Sequence, residues 1–379
     1  MTPPGRAIPL SQDFRRTAVV FFALIAGSCA SDPPVAVPLR APLFELPADI
    51  ASIRIESEGH PTAPFAVLEL RQGGGFSGFL VINEEGQVVW YFRTLGGPGG
   101  FTRMQNGNFV FLDSQRGLVE VTTQGVVVHE LPQEAAPGRT MHHDVILSPK
   151  NTLLVIADDW QMWRDTLRNG AAIWEWDSEG TTIQKRWSSF DYLSPDQDRG
   201  SRSVNSDWLH PNALSIGPRG NIILSLHFLN QVISISPDFQ RVEWRMGGVR
   251  ATIPVDVQFS GQHTTAEIRP GHILLFDNGY ERTVERFTRA LEFEIEGNTA
   301  RKAWEWRPAR DNWAPVIGSA RRLENGDTML GFGLQPDSTL RSTGPIEAYE
   351  VTNAGKVVWH ITVTANVRSM YRATPLFDF

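Results

Sequence analysis

Three of the nine histidines, with a fourth beside one of them, stand at one recurring place in the chain. His142-His143-Asp144 leads into Val145-Ile-Leu147, His210 into Pro211-Asn-Ala-Leu214, and Gln262-His263 into Thr264-Thr-Ala-Glu-Ile268. In each case the histidine opens an apolar strand whose turn follows seven to ten residues later. A neutral imidazole is a competent nucleophile or metal ligand near pH 7, and an imidazolium is an acid or an anion holder. One histidine at a strand start merely caps it. The same residue at the same place in three successive units is not demanded by packing, so convergence on one site is expected. The next unit carries Ser319, Arg321 and Arg322 at the equivalent place, and the C-terminal strand adds Tyr371 and Arg372, which makes the expected site cationic. His60, His129, His272 and His360 fall on turns or outer strands and read as surface residues.

The elements that must position these residues repeat. One hairpin, an alternating strand, a Gly or Asn turn and a second strand often ending in Trp, begins at Gly78, Gly117, Ala172, Gln231, Ala290 and Ile346. Such period-two runs about a turn mark hairpins. A second hairpin precedes most of them, with turns at Asn106-Gly-Asn108, Pro149-Lys-Asn151, Arg219-Gly-Asn221, Pro270-Gly-His272 and Asn325-Gly-Asp327. Two hairpins make four strands, and six such units predict an all-β, six-bladed β-propeller. The first unit lacks an inner strand, and Tyr371-Arg-Ala-Thr-Pro-Leu376 is expected to supply it, closing the ring from the C-terminus and hiding strand edges.

Composition agrees. Twelve tryptophans, 33 glycines and 25 prolines with only 20% charged residues suit turn-punctuated sheets packed face to face. A net charge of -7 without a basic run argues against a nucleic-acid partner. Trp174-Glu-Trp176 and Trp304-Glu-Trp306 put both rings of each pair on one strand face and read as packing between blades. Residues 1–30 read as a secretory signal: Arg15-Arg16, an apolar stretch too short to span a bilayer, then small residues. Two outcomes stay open there, lipidation of Cys29 at a lipoprotein-type box or cleavage after Ala30 with Cys29 discarded. Either way no second cysteine exists for a disulfide. Residues 31–64 then form a linker and short extension, and 65–379 the propeller. An exported protein is expected, periplasmic or anchored at the outer membrane, touching a membrane only through such an anchor.

Asp207-Trp-Leu-His210-Pro-Asn212 resembles the Asp-Trp-x-His-x-Asn motif of bacterial aryl-sulfate sulfotransferases. Val242-Glu-Trp-Arg-Met-Gly-Gly248, Gln262-His263, Phe276-Asp-Asn278-Gly279 and Thr288-Arg289-Ala290 follow in that family's order, and the similarity runs from about Phe76 to Trp306. The resemblance implies a periplasmic propeller that moves a sulfuryl group from a phenolic sulfate ester to another phenol, without a nucleotide donor or other cofactor, through a sulfohistidine. By motif position His263 would be the nucleophile, with His143 and His210 completing the catalytic set. His142, Asn212, His227, Asn278, Arg289 and Arg322 are the substrate-binding candidates, Asn278 by orienting the His263 ring. The chain departs from the family at Ser225-Leu-His227, where Ser-Ser-Arg is usual, so a fixed cationic fork gives way to an imidazole. Compensation by Arg321 or Arg322 is one expectation.

Two other classes remain open at this level. His143, His210, His227 and His263 about one axis could ligate Zn, Cu or Fe. A non-catalytic propeller could instead bind a partner at its rim, through Trp160 and Trp163 of an expected loop from Asp158 to Gly170, which could equally form an acceptor-binding lip.

Overall fold

The computed structural model describes residues 45–379 except 73–74, 134–139, 178, 205, 334–343 and 365–366. The leader with Cys29 and the stretch from Asp32 to Pro42 lie outside the described residues.

Six antiparallel sheets follow one another along the chain. The second to sixth begin with inner strands Pro98–Arg103, Met141–Leu147, Pro211–Ile216, His263–Arg269 and Ser319–Arg322. The first sheet takes its inner strand from the other end of the chain: Val367–Leu376 pairs with Phe65–Gln72, in register Val67↔Thr374. The ring is therefore a six-bladed β-propeller closed by its C-terminal strand. At the opposite edge, Arg54–Gly59 adds a fifth strand to the sixth blade by pairing with Val357–Thr364, so sheet structure starts upstream of the expected boundary at Phe65.

In several blades the second strand reads as a near-continuous apolar run because both of its faces are covered. Ile222–Leu226 and Phe109–Asp113 are buried at every position, as in a sheet sandwiched between neighbours. Among the described residues the buried apolar side chains form six clusters, each bridging two consecutive blades. Phe79 of the first blade meets Phe101 and Phe111 of the second, and Trp187 of the third shares a cluster with Leu224 and Ile233 of the fourth. Trp174 and Trp176 are buried and stacked at 5.9 Å, and Trp306 is buried; Trp304 lies under the Arg322 guanidinium. The tryptophan pairs are packing residues.

The segment Asp158 to Gly170 is not a loop. Leu153–Trp163 and Thr166–Trp176 pair without interruption to Trp163↔Thr166, forming a long hairpin. Buried Asp159 and Asn169 sustain it: the Asp159 N–H donates to Asn169 Oδ1 (2.9 Å), and Asn169 Nδ2 donates to Asp158 Oδ1 (2.6 Å). These polar residues disguise the strand in sequence because they bond one another across it.

Candidate active site

The six inner strands run in the same sense, so residues at their starts line one mouth of the channel and residues further along line the other. The first mouth holds a cavity of about 350 Å³ bounded by His142, His143, His210, His227, His263, Tyr371, Phe228, Arg71 and Arg202 among others. The second, about 980 Å³, is lined by Asp144–Pro149, Leu214–Pro218, Thr264–Ile268 and Ala320–Glu324. Between them Arg372 makes a bidentate pair with Asp144 (2.6 and 3.0 Å) and also donates to the Asn212 carbonyl at 3.1 Å.

Irregular backbone at the strand starts turns the side chains inward. Pairing shifts register beside Gly100, His143, Asn212 and Thr264, and Gly100, His143, His210, Thr264 and Ile317 have φ between 42° and 61°. Bulges of this kind re-aim side chains beside active sites. In the second blade only glycine fits, since a Cβ on Gly100 would lie 2.5 Å from the Val145 nitrogen. That blade therefore offers no histidine.

The imidazoles form an arc. Ring centroids are 4.7 Å apart for His142–His143, 5.0 Å for His143–His210, 5.5 Å for His210–His227 and 4.8 Å for His227–His263. Tyr371 lies 6.0 Å from His143 and 6.3 Å from His263, closing the circle. Among the described residues no three His, Cys, Asp or Glu side chains stand in a metal-holding arrangement; the rings are instead engaged pairwise with hydrogen-bond partners.

Those partners fix the tautomers. Asn278 Nδ2 donates to the carbonyls of Ala314 (2.8 Å) and Ile317 (2.6 Å), which forces Oδ1 toward His263 Nδ1 at 2.8 Å. The proton of His263 therefore sits on Nδ1 and the lone pair on Nε2, where it accepts a long 3.3 Å bond from the Ile317 N–H that a substrate must displace. Burial pushes the His263 pKa down to about 3, partly countered by the Asn278 bond, so the ring is neutral at pH 7. His210 Nδ1 donates to Asp207 Oδ2 at 2.6 Å, leaving Nε2 as the other ring nitrogen. His142 Nε2 faces Asp158 Oδ1 at 3.3 Å and its Nδ1 takes the His143 Nδ1 proton at 2.5 Å. Burial raises the Asp158 pKa, but hydrogen bonds from His142 and Asn169 outweigh it and hold the carboxyl low. Burial and the surrounding imidazoles keep His143 and His227 well below the usual histidine range.

The remaining candidates lie behind the cavity. Asn212 donates to the Gln262 carbonyl at 2.9 Å and pins the segment before His263. Arg289 bonds Asp277 (2.9 Å) and the Gln258 carbonyl (2.9 Å), and Asp277 Oδ1 receives the Ser260 and Gly279 N–H groups. Arg289 thus braces the turns that carry His263 and Asn278 without reaching the cavity. Arg322 pairs with Glu292 at 2.5 Å, and Arg321 lines the far mouth. In the sixth blade Ile317, not Ser319, occupies the first mouth, so both arginines fall too far along the strand to compensate for His227. Four contributors, Arg71 among them, were not among the sequence candidates. Asp207 and Asp158 act through their histidines. Arg202 comes from a polar segment, Gly200-Ser-Arg-Ser-Val204, with no periodicity to mark it. No Asp or Glu lines the cavity, while Arg71 and Arg202 do.

The arylsulfotransferase (ASST) family model matches residues 64–372. Among solved structures, a protein of unknown function from Bacteroides caccae superposes with a TM-score of 0.56 at 15% identity, covering 83% of this chain and 100% of its own, a likeness of fold. A streptogramin B lyase (TM-score 0.42, 11% identity, 81% and 72% covered) and a virginiamycin B lyase from Staphylococcus aureus (0.41, 8%, 82% and 100%) are more distant. No curated protein matches the chain. By the family match over most of its length, this chain belongs to the arylsulfotransferase family.

Proposed function

We propose that the protein transfers a sulfuryl group from a phenolic sulfate ester to a phenolic acceptor, with His263 as the carrier. The observation that supports this most is the locked tautomer of His263: a neutral imidazole with its lone pair on Nε2, in a cavity lined by cations and no carboxylate. His263 Nε2 attacks sulfur, the sulfur–phenolic oxygen bond breaks, and the electron pair leaves on the phenolate. Protonated His210, its other nitrogen held by Asp207, gives that oxygen a proton, a contribution of about 10²–10⁴-fold. The acceptor oxygen then attacks the sulfohistidine, His210 takes the phenolic proton, and the nitrogen–sulfur bond returns its electrons to Nε2. His143 borders the sulfuryl position, but with its one proton given to His142 the neutral ring presents a lone pair and does not donate to the sulfuryl oxygens. We also propose export, the mature protein being free in the periplasm or lipid-anchored at Cys29; intact mass of the purified mature chain separates the two.

The test uses 4-nitrophenyl sulfate with the mature chain and His263→Ala, with and without added phenol. Nitrophenolate release that depends on phenol and vanishes in the variant is the expected result. Release that survives in His263→Ala would remove the carrier role, and no release from the native chain with any phenol would remove the reaction.

A further inference from the structure

One cationic side chain of the cavity comes from no strand of a blade. Arg202 reaches in from the segment between the third and fourth blades, its guanidinium carbon 3.6 Å from the Tyr280 ring centroid and 4.8 Å from that of Phe228. Its Nη1 donates to His227 Nε2, while His227 Nδ1–H points to the Gln262 carbonyl at 3.4 Å. Both nitrogens of His227 are therefore engaged, and the ring is the neutral acceptor that seats the arginine. The seat is firm, since His227 is buried and its backbone N–H donates to the His210 carbonyl at 3.2 Å. Among the described residues no carboxylate forms an ion pair with Arg202. Two aromatic faces and an imidazole aim and desolvate the guanidinium without neutralising it, and the cavity it lines holds no acid.

We infer that Arg202, carried on His227, is the residue that grips the sulfuryl oxygens of an aryl sulfate in this cavity. A guanidinium presents several N–H donors in a planar fork and keeps its charge at any working pH, which suits an oxyanion that stays anionic before and after transfer. His227 is then a positioning residue: an arginine in its place would supply the charge directly, whereas here the strand supplies a seat and the preceding segment supplies the charge. The inference rests on the reading of this cavity as an aryl-sulfate site, so binding is measured apart from turnover.

In the full mature chain carrying His263→Ala, so that transfer through His263 is removed, 4-nitrophenyl sulfate and 4-nitrophenol are each titrated by calorimetry before and after Arg202→Ala. Loss of a charge-assisted contact is expected to weaken the sulfate ester about 10- to 100-fold while 4-nitrophenol changes by less than about twofold. Arg202→Lys recovers part of the loss, and Arg202→Ala combined with His227→Arg recovers most of it, because the charge returns to the same spot from the strand. Unchanged affinity for the ester in Arg202→Ala overturns the inference, and so does equal weakening of both ligands, which is the mark of a structural role. Arg202-dependent binding in a protein whose native form never transfers sulfate leaves the inference standing and sinks the reaction. Transfer indifferent to Arg202→Ala does the reverse.

Discussion

His263 owes its chemistry to Asn278, and Asn278 owes its orientation to two carbonyls. Replacing Asn278 by Ala frees the imidazole to take either tautomer, and kcat should fall on the order of 10- to 100-fold with KM nearly unchanged, as for other partners that orient an imidazole. A steady-state comparison that shows KM rising instead would place Asn278 in substrate binding. The depressed imidazoles also set an acid limit. His143, His227 and His263 hold their protons less firmly in the folded chain than at the ordinary value of 6.5, so below about pH 6.5 the unfolded chain binds more protons and stability declines as pH falls. Glu69, raised by burial to about 7 from 4.5, works in the opposite sense across that interval and offsets one of the three. The net is a loss of stability as pH falls from 7.5 to 5.5; denaturant midpoints at pH 7.5, 6.5 and 5.5 check it, and a flat profile would refute it. At this scale the convergence of His143, His210 and His263, with Asn278 behind the last, was legible because a repeated strand start and an ordered set of motifs carry them. Arg289 and Arg322 were read into the cavity from position in sequence, but each is held by a carboxylate behind it. Arg202 was not legible, since a segment without periodicity says nothing about where its side chains point.

At the scale of elements, the bulged strand starts deliver the site, and Gly100 shows their cost most plainly. With φ of 55° and no room for a Cβ beside Val145 and Asp144, Gly100→Val should destabilise the fold by about 1–3 kcal/mol and push the neighbouring His143 strand outward. Urea unfolding measures the first effect, and a wild-type midpoint would mean the blades can part without penalty. The long hairpin makes the contrasting case. Its tip is tied down at Asp196 by Trp163 Nε1 (3.0 Å) and by Arg164 (2.9 Å), and none of residues 159–170 lines the cavity. Trimming 161–166 to Asn-Gly should leave kcat/KM for 4-nitrophenyl sulfate within about twofold; a larger fall would restore the idea of an acceptor lip. Strand and turn spacing made the blades readable, because alternation about Gly and Asn turns is a local signal. Bulges and the hairpin were not, because one residue of register and a polar pair bonding across two strands leave no period behind.

Across the whole molecule, the two mouths are parted by the Arg372–Asp144 pair, which joins the first blade to the third through the axis. Both side chains are buried, so Asp144→Ala strands a charge and should lower stability by about 3–5 kcal/mol, whereas Asp144→Leu with Arg372→Met should recover much of it. Thermal unfolding of the single and double variants decides the point, and equal losses in both would show that packing rather than charge is at stake. The six-unit ring and its closing strand were legible from a count of hairpins and one missing partner. That closing strand has a further consequence for how the molecule comes into being. Val67 must wait for Thr374, some three hundred positions later, before its sheet is complete, and Arg54–Gly59 must wait for Val357–Thr364 on the other side of the same seam. Pairings so distant in sequence are slow to find. A polypeptide emerging from its N-terminus therefore cannot latch its first blade until Val367–Leu376 has appeared, and a chain cut before Val367 leaves the circle open with Tyr371 and Arg372 gone from its axis.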